Sequence, residues 1–154
     1  MKKPFDPSDR ENALKSALNL IRFRIRSEKE LFYKLKEKGY DTDNISDTVQ
    51  KLKENKLLDD RLFAKCFSYD KATLDGKGPQ GIRYELKEYG ISEEIIADTL
   101  KDLEKEVDFY EIALSQAKKF SALKKDTKKV YDFLYRKGYD SFTIKNILKD
   151  IGGE

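Results

Sequence analysis

Apolar and polar positions along this chain follow a helical period, and the same pattern is written three times. Counted from Gly39, Gly90 and Gly138, an aliphatic residue stands eight positions before the glycine (Leu31, Ile82, Val130) and four before it (Leu35, Leu86, Leu134). One position after the glycine come Tyr40, Ile91 and Tyr139, and six after come Ile45, Ile96 and Ile144. Val49, Leu100 and Leu148 follow at ten, and Leu52, Leu103 and Ile151 at thirteen. Steps of three and four mark a single buried face on a helix, here one helix before each glycine and one after it. The glycines lie 51 and then 48 residues apart, which leaves room in each unit for a third, leading helix. Self-similarity at a long fixed period marks a repeat architecture.

Start and stop signals agree with the apolar face. Twelve positions before each glycine stand Ser27, Gly78 and Asp126, all accepted at a helix N-cap. Ser27-Glu28-Lys29-Glu30 reads as a capping box, with Glu30 reaching back to the helix start. Pro79 follows Gly78 at the first helical position, where a missing N–H costs nothing. Each glycine is placed to end its helix in the left-handed conformation. Two residues on, Asp41, Ser92 and Asp140 are placed to cap the next helix. The leading helices are less alike: Leu14, Ala17, Leu18, Ile21 and Ile25 mark the first, Phe63, Ala64 and Phe67 the second, and Phe109, Ala113, Ala117 and Phe120 the third. The expected fold is all-α, three tandem three-helix repeats (nine helices) forming an elongated array. Its divisions are a polar tail over 1–9 and repeats over 10–57, 58–105 and 106–154.

Composition narrows the chemistry. The chain has 154 residues, 40% of them charged, with only 8 glycines and 3 prolines, as suits thin helical modules. It has no histidine and one cysteine, so no His-based triad, imidazole metal site or intrachain disulfide can form, and no cofactor or metal is expected. Cys66 shares a helix stripe with Phe63 and Phe67 and reads as a small buried hydrophobe. No apolar run reaches the roughly 18 residues of a membrane span. A soluble, cytoplasmic monomer without membrane contact is the expectation. Asp59 and Asp60 are paired carboxylates, but at a helix start capping and the helix dipole explain them better than acid–base or metal chemistry. No enzyme activity is expected.

Several strings resemble a known family. Arg24-Ile25-Arg26-Ser27-Glu28-Lys29-Glu30-Leu31, with Lys34-Leu35 and Lys38-Gly39-Tyr40, resembles the first repeat of the RecX regulatory proteins. Leu57-Leu58-Asp59-Asp60 with Phe63-Ala64 is similar to the family's junction motif, and Lys56 stands where the family often has glycine. Gly78-Pro79-Gln80-Gly81-Ile82-Arg83-Tyr84-Glu85-Leu86 with Gly90-Ile91 resembles the second repeat, and Phe133-Leu134-Tyr135-Arg136-Lys137-Gly138-Tyr139 the third. The resemblance runs from about Asn12 to Ile151. It implies a nine-helix protein that binds the RecA recombinase filament on DNA. It further implies inhibition or modulation of RecA's ATPase, strand-exchange and co-protease functions, and hence of DNA repair and recombination.

Charge is segregated along the chain. Lys15 to Lys38 carries eight cations against three acids, and Lys118 to Lys137 eight against two, whereas Glu85 to Glu111 carries ten acids against three lysines. Clustered cations release counterions from DNA and give sequence-tolerant binding, and segregated charge orients docking on a mixed protein and phosphate surface. The residues expected to face the filament or its DNA are Arg22, Arg24, Arg26, Lys29, Lys34, Lys77, Arg83, Lys118, Lys119, Lys124, Lys125, Lys128 and Lys129. The basic first and third units would contact the DNA-bound filament and the acidic middle would tune where it docks. Expected partners are the RecA filament and the single- or double-stranded DNA within it, with weak binding to bare DNA. The alternative function is direct nucleic-acid binding without RecA.

Two local motifs are better read as structure. Asp75-Gly76-Lys77-Gly78-Pro79-Gln80-Gly81 lacks the Gly-Lys-Ser/Thr ending of a phosphate-binding loop, so it reads as a linker and helix start. The helix–glycine–helix hairpin resembles a DNA-reading motif, but its exposed residues differ in every unit, which speaks against base reading in register. Tyrosines and phenylalanines total eighteen, and those at core offsets, such as Tyr40 and Tyr139, support base stacking only weakly.

Overall fold

The computed structural model describes residues 4–123 and 126–152, and among these the only regular secondary structure is α-helix. The elements are α1 (Arg10–Phe23), α2 (Glu28–Glu37), α3 (Thr42–Glu54), α4 (Asp60–Thr73), α5 (Pro79–Glu88), α6 (Glu93–Glu106), α7 (Phe109–Leu123), α8 (Thr127–Lys137) and α9 (Ser141–Ile151). Each glycine of the pattern closes a middle helix: Gly39, Gly90 and Gly138 have φ of 103°, 78° and 103°. All twelve residues at the offsets −8, −4, +1 and +6 are buried. At +10 and +13 the pattern loosens, for Val49, Leu148 and Ile151 are only partly buried and Ile147 replaces Leu148 in the core of α9.

Contacts divide the chain into two compact units. Unit 1 comprises Met1–Phe63 with Tyr89–Ile91, and unit 2 comprises Ala64–Glu88 with Ser92–Glu154. The core of unit 1 is Ala13, Ala17, Leu31, Leu35, Tyr40, Ile45, Leu52 and Leu58, drawn from α1–α3 and the segment after them. Unit 2 holds a cluster of Ala113, Ala117, Val130, Leu134, Tyr139, Ile144 and Ile147 from α7–α9 and the α8–α9 turn. Small alanines on α1 and α7 let the leading helix lie close against the aliphatic face of the other two. The compact units therefore do not coincide with the sequence repeats: the turn Tyr89-Gly90-Ile91 belongs with unit 1 while the helix it closes belongs with unit 2.

The caps form largely as the sequence directs. Asp41, Ser92 and Asp140 accept from the amides of Asn44, Ile95 and Thr143 at 2.8, 3.3 and 2.8 Å, and Asp126 accepts from Lys128 and Lys129. Ser27 accepts from Glu30 N at 3.1 Å, but the reciprocal half of the capping box is absent, because the Glu30 carboxylate is taken by Arg24 and Arg26. The Glu28 amide, at the first position of α2, donates to Asp60 at 2.9 Å. Lys56 has φ 58°, the one positive φ at a non-glycine residue among those described. It ends α3 with the left-handed turn that glycine would supply, and Leu57 N donates to Leu52 O at 2.8 Å across it.

The polar tail is packed from Phe5 onward. The Phe5 ring lies 5.1 Å from that of Tyr40 and against Gly39, and Pro7 O accepts both Asp41 N and the Asn44 side-chain amide. Cys66 is half-buried.

Candidate docking surface and the repeat junctions

The surface is organised by how each middle helix begins. In unit 1 the start of α2 meets the glycine turn at Gly90. Ser27 is fully buried, and its hydroxyl donates to Tyr89 O at 2.7 Å while accepting from Glu30 N. Lys29 lays its stem across Gly90, so closely that a Cβ there would meet it at 2.5–2.6 Å. Asp60 closes the other side, beside the Glu28–Lys53 ion pair of 2.8 Å. Burial raises the Asp60 carboxyl to about 6; the negative charge of Glu28 also raises it, and the Glu28 amide and Lys53 pull it down.

In unit 2 the start of α5 meets the turn at Gly138, and there main chain lies directly on main chain. Gly78 N donates to Lys137 O at 2.8 Å and Gln80 N to Gly138 O at 3.0 Å. A Cβ on Gly138 would stand 2.1 Å from Gly81 N, and one on Gly78 would stand 2.7 Å from the Gly138 carbonyl. The Tyr139 hydroxyl donates to Gly76 O at 2.8 Å, and Lys137 Nζ to Asp75 O at 2.7 Å. Gly78 is thus required by close approach, and the segment Asp75–Gly81 serves as a docking strip.

The cations fall into three groups. Arg22, Lys29 and Lys34 on α1 and α2, Lys118 and Lys119 on α7, and Lys128 and Lys129 on α8 are exposed. Apart from the 6.0 Å approach of Lys29 Nζ to the Tyr33 ring, their side chains make no ion pair or ring contact among the described residues. Arg24, Lys77 and Arg83 are tethered: Arg24 to Glu30, Lys77 to Glu85 at 3.9 Å and Arg83 to Glu93 at 3.7 Å. Arg26 is only 7% exposed, and donates to Leu20 O and to Glu30, both at 3.0 Å. Its charge is spent inside unit 1, which corrects the expectation that it faces outward. Lys124 and Lys125 lie outside the described residues. Alternating arginines look equivalent in a charge count, yet the extended stretch after α1 turns Arg24 and Arg26 onto one carboxylate and leaves Arg22 free.

The carboxylates are structural. Asp59 caps α4 through Arg61 N and Leu62 N, and Asp60 serves α2. Among the described residues no group of three or more metal-ligating acids or cysteines occurs, and no helix is long and apolar enough to cross a membrane. What counting missed is aromatic: Tyr33, Tyr84 and Tyr135 are well exposed. Tyr33 and Tyr84 share an offset, six before the glycine, which a search for shared non-core positions would have found.

Fold and surface together define a class: an all-α protein of repeated three-helix units, with exposed cations on several helices. Residues 13–52 match the first three-helix domain described for RecX, and residues 59–100 match the second. Regulatory protein RecX of Thermotoga maritima is 36% identical over 140 residues, spanning 91% of this chain and 84% of that one. The protein of that name from Chlorobium phaeobacteroides is 34% identical over 148 residues, 94% of this chain and 96% of its own. The chain belongs to the RecX family of regulatory proteins. A crystal structure of regulatory protein RecX superposes with a TM-score of 0.82 at 28% identity, covering 92% of this chain and 73% of that one. RecX from Lactobacillus salivarius shares the fold, with a TM-score of 0.79 at 24% identity over 94% of this chain and 97% of the other.

Proposed function

We propose that this chain binds the RecA recombinase filament on DNA and restrains or modulates its ATPase, strand-exchange and co-protease activities. The observation that carries the reading is family membership along nine-tenths of the chain, with relatives named as regulatory proteins. The exposed cations supply the contact: Arg22, Lys29 and Lys34 from the first repeat, and Lys118, Lys119, Lys128 and Lys129 from the third, with Lys124 and Lys125 between these pairs in sequence. Lys128 and Lys129 stand in the first turn of α8, where the Asp126 carboxylate caps their amides and their exposed ammonium groups remain for an anionic partner. Arg24, Lys77 and Arg83 contribute as tethered cations, and Arg26 is left out of the contact set.

The test is ATP hydrolysis by RecA on single-stranded DNA, titrated with this protein, with binding to bare DNA measured in the same buffer. Inhibition at concentrations too low to coat bare DNA is the expected result. Reversing the charge at Lys118, Lys119, Lys128 and Lys129 weakens that inhibition and flattens its dependence on salt. Strong DNA binding with no effect on RecA would replace the reading with direct nucleic-acid binding.

A further inference from the structure

Tyr33 and Tyr84 occupy one repeat position that the core does not use. Each lies two residues past the buried −8 position, a rotation of about 200° around the helix, onto the face turned away from the apolar stripe. They are 55% and 65% exposed. An isolated surface aromatic needs no explanation. The same aromatic at the same solvent-facing offset in two repeats calls for something that touches it, because neither burial nor helix propensity selects tyrosine there.

Each tyrosine also stands on a concave surface within its own unit. Tyr33 lines a hollow of about 420 Å³ with Lys29, Phe32, Val49 and Gly90, and the carboxylates of Glu28, paired with Lys53, and Asp60, which accepts the Glu28 amide, border it as well. Tyr84 lines a groove of about 820 Å³ with Lys77, Gln80, Tyr135, Arg136 and Ser141. Tyr135 is 63% exposed, and its ring is stacked on Tyr131 at 6.4 Å and 9°. Glu85 and Asp140 also border this groove. Glu85 faces both Lys71 and Lys77, at 3.6 and 3.9 Å, and Asp140 is engaged in capping α9. Arg136 is exposed and makes no ion pair among the described residues. The groove therefore presents two aromatic faces and an uncommitted guanidinium, with its lining charges balanced at two cations and two carboxylates, each carboxylate already engaged within the fold.

We propose that the unit 2 groove takes an unpaired base of single-stranded nucleic acid against Tyr84 and Tyr135, with Arg136 and Lys77 on the flanking phosphates, and that Tyr33 with Lys29 does the same in unit 1. The inference deepens the proposed function, on which it rests for its setting, since that partner carries a single strand. A ring face with a nearby cation suits an unstacked base on its backbone, whereas a duplex keeps its base faces stacked and offers only edges and phosphates.

The experiment is fluorescence anisotropy with a labelled oligothymidylate, a duplex and an abasic strand of equal length, on the full chain. The variants are Tyr84→Ala with Tyr135→Ala, and Tyr84→Phe, with thermal unfolding by circular dichroism to confirm that each folds. The alanine pair weakens binding to oligothymidylate roughly tenfold or more and leaves duplex and abasic-strand binding unchanged, while the phenylalanine variant binds like the parent. No loss on oligothymidylate, or an equal loss on the abasic strand, overturns the proposal. Titrating RecA's ATPase with the same variants separates the two readings. If the parent chain leaves RecA unaffected but its single-strand binding falls with the alanine pair, the tyrosine site stands and the filament function fails. If inhibition of RecA is lost in the alanine pair while the parent does not bind oligothymidylate, the tyrosines contact protein and the base-stacking proposal is overturned.

Discussion

The start of α2 in unit 1 and the start of α5 in unit 2 solve one geometric problem with different chemistry. Both bring the N-terminus of a middle helix onto a glycine turn 62 or 59 residues away in sequence, Ser27 onto Tyr89 and Gly78 onto Lys137. Unit 1 bridges the gap with side chains: a serine hydroxyl, a lysine stem and an aspartate that receives the Glu28 amide. Unit 2 closes the gap altogether, setting glycine on glycine with two main-chain hydrogen bonds. Even the first helical residue fits the scheme. Glu28 needs an acceptor and has Asp60, whereas Pro79 carries no N–H and needs none. Equivalent positions in a repeat thus preserve a contact rather than a residue type, and the two solutions fail differently.

The largest expected difference is at the glycines. Gly138→Ala puts a methyl group into the Gly81 main chain at a φ of 103°, and destabilises unit 2 by about 3 kcal/mol or more. Gly90→Ala meets the Lys29 side chain, which can shift, and costs about 1–2 kcal/mol. Urea denaturation of the two variants measures the contrast, and equal losses would break it.

Ser27→Ala comes next. It removes an N-cap acceptor and the donor to Tyr89 O from a buried site, at about 1–2 kcal/mol, read from the shift in urea midpoint.

The smallest effect is one of pH and belongs to unit 1. Asp60 has its carboxyl raised to about 6 by burial, so between roughly pH 4 and 6 the folded chain holds a proton that the unfolded chain has released. Its contribution to stability is full below the unfolded value and is lost as pH rises through 6. Asp60→Asn keeps an acceptor for the Glu28 amide and removes the proton, so stability measured across pH 4–7 loses that slope. An unchanged slope would assign it to other carboxylates.

The sequence made most of the fold readable, because a helix face and its caps are local. Offsets −8 to +6 and the caps at Asp41, Ser92, Asp126 and Asp140 are set by residues within a few positions of one another. Contacts that depend on distant chain were not readable. Gly78 passes for an N-cap until Lys137 and Gly138 are seen against it, and Glu30 passes for half a capping box until Arg24 and Arg26 claim its carboxylate. For the candidate surface, summed charge located basic stretches but could not separate exposed Arg22 from buried Arg26. Adding up tyrosines hid that two of them share an exposed offset.

The main-chain bonds at the second junction also give the molecule an internal clock. The amides of Gly78 and Gln80 are sealed by carbonyls of Lys137 and Gly138, not by their own helix, so they exchange with solvent deuterium only when α5 lifts from that turn. Their exchange rates therefore report how often the second and third repeats part, separately from the unravelling of either one. A partner that wedges the repeats open would quicken both amides together, and one that clamps them would slow both.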